Sequence, residues 1–340
     1  LGARYEQFTL HSDNNYLING KSINEFNASK PVFRAGLNYQ VGEATFLRTS
    51  WGQGFRFPAM AELFISTNVS GLEIYPNPEL KPESGWSSEL AIKQGVKIGS
   101  WMGFVDVTAF LMQYDDMMEF TFGKWAANQP DPADPTGFGS LNFYGLGFKS
   151  VNVGETQISG IEFSLSGQGK ITKDITINLL AGYTYMQPIS LSPDKVYAVI
   201  DEPINLSGES IDSLTYLNNS SDPSILKYRY KHIAKTDIEI NYQKISIGGS
   251  FRYNDFMKNI DKVFTDDLIG GENGMIPGIN KAREQYSNGD FIIDVRVGCQ
   301  ITKEARLGLV VNNLLNREYM SRPANMMPPR TFAMQLALKI

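Results

Sequence analysis

The sequence predicts an all-β fold, an antiparallel up-and-down transmembrane β-barrel of about twelve strands. Three observations lead there. Apolar and polar residues alternate at period two through most of the 340 residues. Short turns and long polar connections succeed one another in strict alternation. Tyr, Phe and Trp gather near the ends of the alternating segments, with Ile, Val and Leu between them. No run of about 18 apolar residues is present, so any membrane crossing is made by strands.

The segments follow in order. Leu1 to His11 alternates modestly until the polar run SDNN breaks it. From Pro31, Phe33, Ala35, Leu37 and Tyr39 share one face, against Arg34, Gly36, Asn38 and Gln40. A turn near Gly42 leads to a strand from Ala44 to Trp51. Trp86, Ser88, Leu90, Ile92, Val96 and Ile98 then recur at period two, and Gly99–Ser100 turns the chain into WMGFVDVTAFLMQY. A loop holding DPADPTGFGS separates Phe122 from Phe148. Ile158, Ile161, Phe163 and Leu165 lead to a turn at GQGK, and Ile175 to Tyr185 alternate after it. Tyr228, Tyr230, Ile238, Ile240 and Tyr242 are expected on one strand face. Gln243–Lys244 turns into Ile245 to Tyr253, Phe291 to Cys299 follows, and the chain closes with RLGLVVNNLLN and Thr331 to Ile340.

The short connections fall near 42, 99, 168, 243 and 303, the long ones near 12–30, 52–84, 121–147, 187–227, 257–289 and 317–329. In a meander, alternate connections lie at the same end, so all long loops emerge on one side, as in outer-membrane barrels. A soluble sandwich would bury the apolar face in a core, and such one-sided loops are awkward for it. A smaller closed barrel remains open: twelve strands do close in an outer-membrane phospholipase family that uses a Ser/His pair. The two histidines, His11 and His232, lie in no recognisable nucleophile motif and read as satisfied or rim-level side chains.

Composition narrows the function. A net charge of −5 with mixed signs leaves no basic face for nucleic acid. The single cysteine, Cys299, excludes an internal disulfide or a multi-cysteine metal site and reads as a small apolar side chain. No cofactor or metal-ligand motif emerges. Asp115–Asp116 and Asp266–Asp267 read as solvated charges. The chain opens LGARYEQFTL without an initiator methionine or signal peptide, which fits either processing or a longer parent.

One stretch stands apart. Leu47 to Leu90 reads LRTSWGQGFRFPAMAELF, then a polar interval, then NPELKPESGWSSEL. Gly52, Gly54, Pro58, Pro76, Pro78 and Pro82 break any regular ladder there. With it goes the terminal run LGLVVNNLLNREYMSRPANMMPPRTFAMQLALKI. The two resemble segments of TonB-dependent receptors of the bacterial outer membrane. The first matches the aromatic-Gly-x-Gly-Phe-Arg-x-Pro turn (Trp51, Gly52, Gly54, Phe55, Arg56, Pro58), then Glu-Leu-aromatic at Glu62 and Leu63, then Asn77, Pro78, Leu80, Pro82 and Glu83. The second matches Asn-Leu-Leu-Asn-x-x-Tyr (Asn313, Leu314, Asn316, Tyr319) and Pro329–Arg330 before a last strand.

The resemblance implies a fold and a task. About twelve strands ending in the family's terminal motif correspond to the C-terminal half of a barrel of about 22 strands, with residues 1–340 as a partial barrel domain and the plug absent. Ile340 stands where such barrels usually end in an aromatic residue. The implied function is TonB-driven import of a scarce nutrient, a ferric siderophore, haem or a similar metal chelate; no bond is made or broken in it, so the resemblance implies no enzyme and no catalytic residue. Implied partners are outer-membrane lipid, the TonB–ExbB–ExbD complex acting through the plug, and the barrel-assembly machinery. A glycan- or peptide-importing receptor of the same fold, or a passive pore, are the alternatives. For Arg56, Phe57, Pro58 and Glu62 two readings compete, ligand contact in the vestibule or scaffold, and a motif shared by a whole family favours scaffold. Tyr319, Arg322, Asn325, Met326 and Met327 form a more individual loop, either an adaptable binding surface or a packed lid.

Overall fold

The computed structural model describes residues 1–18, 21–69, 72–125, 145–274, 276–322 and 325–339. In chain order the elements are β1 (Gly2–Ile18), β2 (Lys21–Gly42), β3 (Thr45–Arg56), α1 (Met60–Phe64), β4 (Thr67–Val69), β5 (Leu72–Tyr75), β6 (Glu83–Ile98) and β7 (Trp101–Asp115). Then come β8 (Met118–Lys124), β9 (Leu146–Asn152), β10 (Thr156–Lys170), β11 (Ile175–Ser190), β12 (Ala198–Leu206), β13 (Glu209–Leu214), β14 (His232–Tyr242) and β15 (Ile245–Asn254). The last are α2 (Ile279–Gln285), β16 (Asp290–Gln300), β17 (Ala305–Asn312), β18 (Met320–Arg322), β19 (Asn325–Met326) and β20 (Thr331–Leu338).

A 12-stranded antiparallel sheet carries the fold, in the order β1-β2-β3-β6-β7-β10-β11-β14-β15-β16-β17-β20. Each strand pairs with the next wall strand along the chain, which is the up-and-down meander the alternation predicts. Its apolar face is not covered. Leu37, Leu90, Ile98, Ile247, Phe332 and Met334 are all more than half exposed, and Leu309 pairs with Met334 while Val311 pairs with Phe332 on the same side. Such a face is stable against hydrocarbon, where the sheet must also satisfy its own backbone groups. The opposite face carries charge pairs, among them Arg296 with Asp237 at 2.7 Å and Arg252 with Asp294 at 3.1 Å.

The packed core lies elsewhere, in a crown built by the long connections. A 4-stranded sheet, β4-β5-β9-β8, joins two separate excursions through a parallel β5–β9 pairing. Beside it sits the β12–β13 hairpin. Phe122, Phe148, Ile200, Leu206, Leu214 and Val263 form one buried cluster across three excursions. Met117, Val151, Val153, Tyr216 and Leu226 form another.

Several expectations need correction. The connection read as a loop over 12–30 is mostly strand, since β1 runs to Ile18 and β2 begins at Lys21. Polar alternation continued the ladder where a break was expected. GQGK is not a turn but the end of β10, and the chain turns at 171–174. The glycines have a different purpose. A Cβ on Gly103, Gly167 or Gly169 would collide with Trp101, whose indole lies over Gly103 and Gly167. Tyr228 and Tyr230 precede β14 rather than lying on it, and Tyr228 has a positive φ of 59°. Phe122 and Phe148 are not loop margins but sit opposite one another in β8 and β9. Asp266 is buried and accepts hydrogen bonds from the Ser207 amide and hydroxyl at 2.5 and 2.9 Å. It is therefore a loop staple, not a solvated charge. Ile340 lies outside the described residues.

Filling the Trp101 platform should overpack it. Gly167→Leu is expected to destabilise the assembled barrel by about 1–3 kcal/mol. Gly54→Ala, whose added methyl meets nothing within 4 Å, should be near neutral. Denaturant-induced loss of the folded band on semi-native gels compares the two.

Candidate functional site

The crown encloses a cavity of about 640 Å³ whose walls come from α1, β5, β8, β9 and the 227–229 segment. Glu62, Phe120, Phe148, Tyr228, Arg229 and Arg322 all line it. Phe120 and Phe148 are stacked with centroids 4.9 Å apart, and Phe148 stacks on Phe264 at 5.7 Å. The Arg322 guanidinium lies 6.0 Å from the Tyr228 ring centroid. Neither Arg229 nor Arg322 makes an ion pair among the described residues. An aromatic wall with unmatched guanidinium groups suits a flat, anionic ligand.

Behind that wall is a buried polar network. Lys227 Nζ donates to Asp261 Oδ1 at 2.9 Å, and both side chains are fully buried. Asn219 Nδ2 donates to Thr121 Oγ1 at 2.8 Å and reaches the Tyr197 hydroxyl at 3.0 Å. The Tyr228 hydroxyl donates to Asp261 Oδ2 at 2.6 Å. The Lys227 amide donates to the Tyr216 hydroxyl at 2.6 Å, which in turn donates to Glu119 Oε1 at 2.9 Å. Burial by itself drives Lys227 down, but Asp261, Tyr197 and Glu119 outweigh it and hold the ammonium above its ordinary value. For Glu119 burial wins over the attraction of Lys227, 4.0 Å away, and its carboxyl is pushed up. Burial, then Asp261, raises the Tyr228 hydroxyl well above the usual phenol value, so it stays a donor. The network ties β8 to the 216–228 and 259–261 segments, fixing where Tyr228 and Arg229 face the cavity.

The motif residues make a second node beneath the cavity. Arg56 pairs with Glu62 at 3.2 Å and lies 3.9 Å from Glu83. Glu62 also accepts the Ala59 amide at 2.6 Å, half of a capping box; Ala59 has no side-chain acceptor to supply the other half. Glu83 accepts the Met118 amide at 2.9 Å. Asn77 donates to the Ser150 carbonyl at 2.8 Å, and its own amide donates to the Glu62 carbonyl at 2.8 Å. Leu63 and Leu80 are buried together with Phe64 and Met118. Pro58 is buried, and Phe57 is half-buried against Phe55 at 4.5 Å and Phe8 at 4.6 Å. Arg56, Trp51, Gly52, Gly54 and Phe55 border a separate groove of about 740 Å³ along the inner wall.

In the terminal motif, Asn313 and Asn316 both have a φ of 50°, a region that asparagine tolerates better than most residues. Asn313 is buried, takes the Arg317 amide at 2.9 Å and donates to the Arg317 carbonyl at 2.8 Å. Asn316 accepts the Arg330 amide at 2.9 Å. Leu314 is exposed, and Pro329 and Arg330 lead into β20. Of the individual loop, Arg322 joins Glu62 at the cavity. Tyr319 borders a small pocket that also touches Arg322. Asn325 donates to the Ser321 hydroxyl at 2.6 Å, Met327 donates its amide to the Tyr319 carbonyl at 3.0 Å, and Met326 is 54% exposed. Phe120, Phe148, Tyr228 and Arg229 were not legible as site residues. The YRYK run that holds two of them reads as the opening of a strand.

The family description "TonB dependent receptor-like, beta-barrel" matches residues 1–314. The chain belongs to that family, whose barrels sit in the bacterial outer membrane. A hemin receptor of Yersinia pestis is 23% identical over 235 residues, 65% of this chain and 31% of that protein. The hemoglobin-binding protein A of Haemophilus influenzae is 27% identical over 151 residues, 43% of this chain and 14% of that protein. The chain thus spans under a third of the length of these curated relatives. Among solved structures, the copper transporter OprC superposes with a TM-score of 0.60 at 14% identity, over 99% of this chain and 44% of its own. The ferric-catecholate import receptor Fiu of E. coli K12 gives a TM-score of 0.56 at 15% identity, over 99% and 41%. These two likenesses establish the fold.

Removing one partner of the buried pair leaves an uncompensated charge. Lys227→Met is expected to destabilise the crown by about 3–5 kcal/mol, read as faster proteolysis of the crown with the wall strands still protected. A second outcome follows from Glu119. A carboxyl with a raised native value contributes stability below the ordinary carboxylate range and loses it as pH rises through the native value. Protease protection of the crown should therefore improve as pH falls towards the ordinary carboxylate range, and Glu119→Gln should reduce that pH dependence.

Proposed function

We propose that this chain forms the wall and extracellular crown of a receptor that imports a scarce metal chelate across the bacterial outer membrane. The ferric siderophore and haem classes are the chelates we favour. The observation that carries this reading is the crown cavity, with stacked Phe120 and Phe148 beside the unmatched Arg229 and Arg322. Flat, oxygen-rich chelates present a π-face and negative charge together, which this surface answers with aromatic rings and guanidinium groups. The names of the relatives, a hemin receptor and a hemoglobin-binding protein, support the same class. No bond is made or broken in such a task, so the residues hold and release cargo and perform no catalysis.

In this reading the chain works as part of a longer receptor. The strands β1 and β20 each have a partner on one side only among the described residues, and the chain covers 44% of OprC. Further strands would close the wall, since unpaired backbone groups cost several kcal/mol each in hydrocarbon. A plug inside the barrel would couple the receptor to the TonB–ExbB–ExbD complex, and the barrel-assembly machinery would insert it. The Arg56–Glu62–Glu83 node would serve as scaffold, shaping the floor on which the cavity rests.

Titration of the full-length receptor with hemin and with a ferric tris-catecholate, followed by tryptophan quenching, tests the reading. Arg322→Ala should weaken binding of the preferred chelate by about tenfold or more, the scale of a lost charge-assisted hydrogen bond, with barrel assembly unchanged. Saturable binding of neither chelate, or equal binding by parent and an Arg229→Ala/Arg322→Ala double variant, would sink it.

A further inference from the structure

A small pocket adjoins the crown cavity and shares Arg322 with it. Its volume is about 80 Å³, bounded by Phe256, Tyr286 and Tyr319 together with Arg283 on α2. A cavity of about 150 Å³ is what a benzene ring needs, while a water occupies about 30 Å³ of liquid. The pocket is therefore too small for an aromatic ring and large enough for a carboxylate on one or two methylenes.

Two guanidinium groups, Arg283 and Arg322, and two carboxylates, Asp255 and Asp290, line it. Arg283 is half-buried, stacks 4.6 Å from the Phe256 centroid and donates to the Lys258 carbonyl at 2.9 Å. No carboxylate pairs with it among the described residues. Burial pulls the guanidinium below its ordinary value, with Tyr228 opposing, yet arginine stays charged at any physiological pH. The two lining acids have other partners than Arg283. Asp290 meets Arg317 at 3.4 Å, and Asp255 accepts the Phe256 amide at 2.8 Å. A partly buried cation without a counter-charge is costly, and an incoming carboxylate would relieve it.

We infer that the cargo carries a short carboxylate arm, which leaves the crown cavity past Arg322 and is held by Arg283 in this side pocket. The inference rests on the chelate-receptor reading and sharpens it. The larger cavity takes the flat body of the chelate, and the side pocket selects those bearing a flexible acid. Arg322, lining both spaces, would contact the arm where it bends. Chelates whose negative charge is spread only over ring oxygens would leave Arg283 unmatched.

The test compares hemin, whose two propionates are free, with its dimethyl ester, in which they are capped. Both are titrated into the full-length receptor in detergent, beside a ferric tris-catecholate without carboxylates. Hemin should bind the parent at least tenfold more tightly than the ester. Arg283→Gln should abolish that preference while leaving ester affinity unchanged, the internal control that the crown is still folded. Equal affinity for hemin and ester, a preference that survives in Arg283→Gln, or binding of the tris-catecholate alone would overturn the inference and leave the chelate-receptor reading standing. Binding of none of the three would overturn both.

Discussion

Hydrocarbon offers no hydrogen bonds, and that one constraint divides the molecule. A wall set in lipid must satisfy every backbone amide within its own ladder and turn its apolar side chains outward. The 12-stranded meander does so, with Leu37, Leu90, Ile247 and Met334 exposed rather than packed. Burial that would be the core of a soluble protein then has no place in the wall. It moves to the excursions at one end, where water is available on the outside and strands can pack on strands. Phe122, Leu206, Leu214 and Val263, none of them in a wall strand, are among the most buried residues of the chain.

Within the crown, the Lys227–Asp261 pair sets the positions of the residues around the cavity. Two charges far from water survive only when their remaining donors and acceptors are met, here by Thr121, Asn219 and Tyr228. Such a network tolerates one arrangement better than a greasy contact would, which explains how segments distant in sequence present a defined surface. The stacked Phe120 and Phe148 are the apolar counterpart on the same wall. The shape of the cavity thus rests on one cluster.

How much of this is legible in the sequence depends on the period of the pattern. Period-two alternation is dictated by the two faces of a strand, so the wall strands and their order follow from it directly. The failures share a cause. Gly167 and Gly169 resemble turn residues, but the bulk of Trp101 against them decides their use, and that contact joins β7 to β10. Tyr228 continues an alternating pattern yet leaves the ladder, because its hydroxyl is claimed by Asp261. Burial of Lys227 has no local signature at all; a lysine in a polar interval reads as solvated. The motif residues stand between these cases. Asn313 and Asn316 can be recognised as a pattern from sequence, while their left-handed backbone and carbonyl contacts supply the reason.

The parallel pairing of β5 with β9 has a consequence for how such a protein can change. Those strands belong to different excursions, separated in the chain by the whole β6–β7 hairpin. Neither excursion is a self-contained cassette. A recombination event, or a designer, exchanging one of them for that of a relative would import half of a sheet without its other half. Changes to the cavity surface are therefore more accessible by point substitution than by shuffling loops, and lineages that diverge by loop exchange must carry both excursions together.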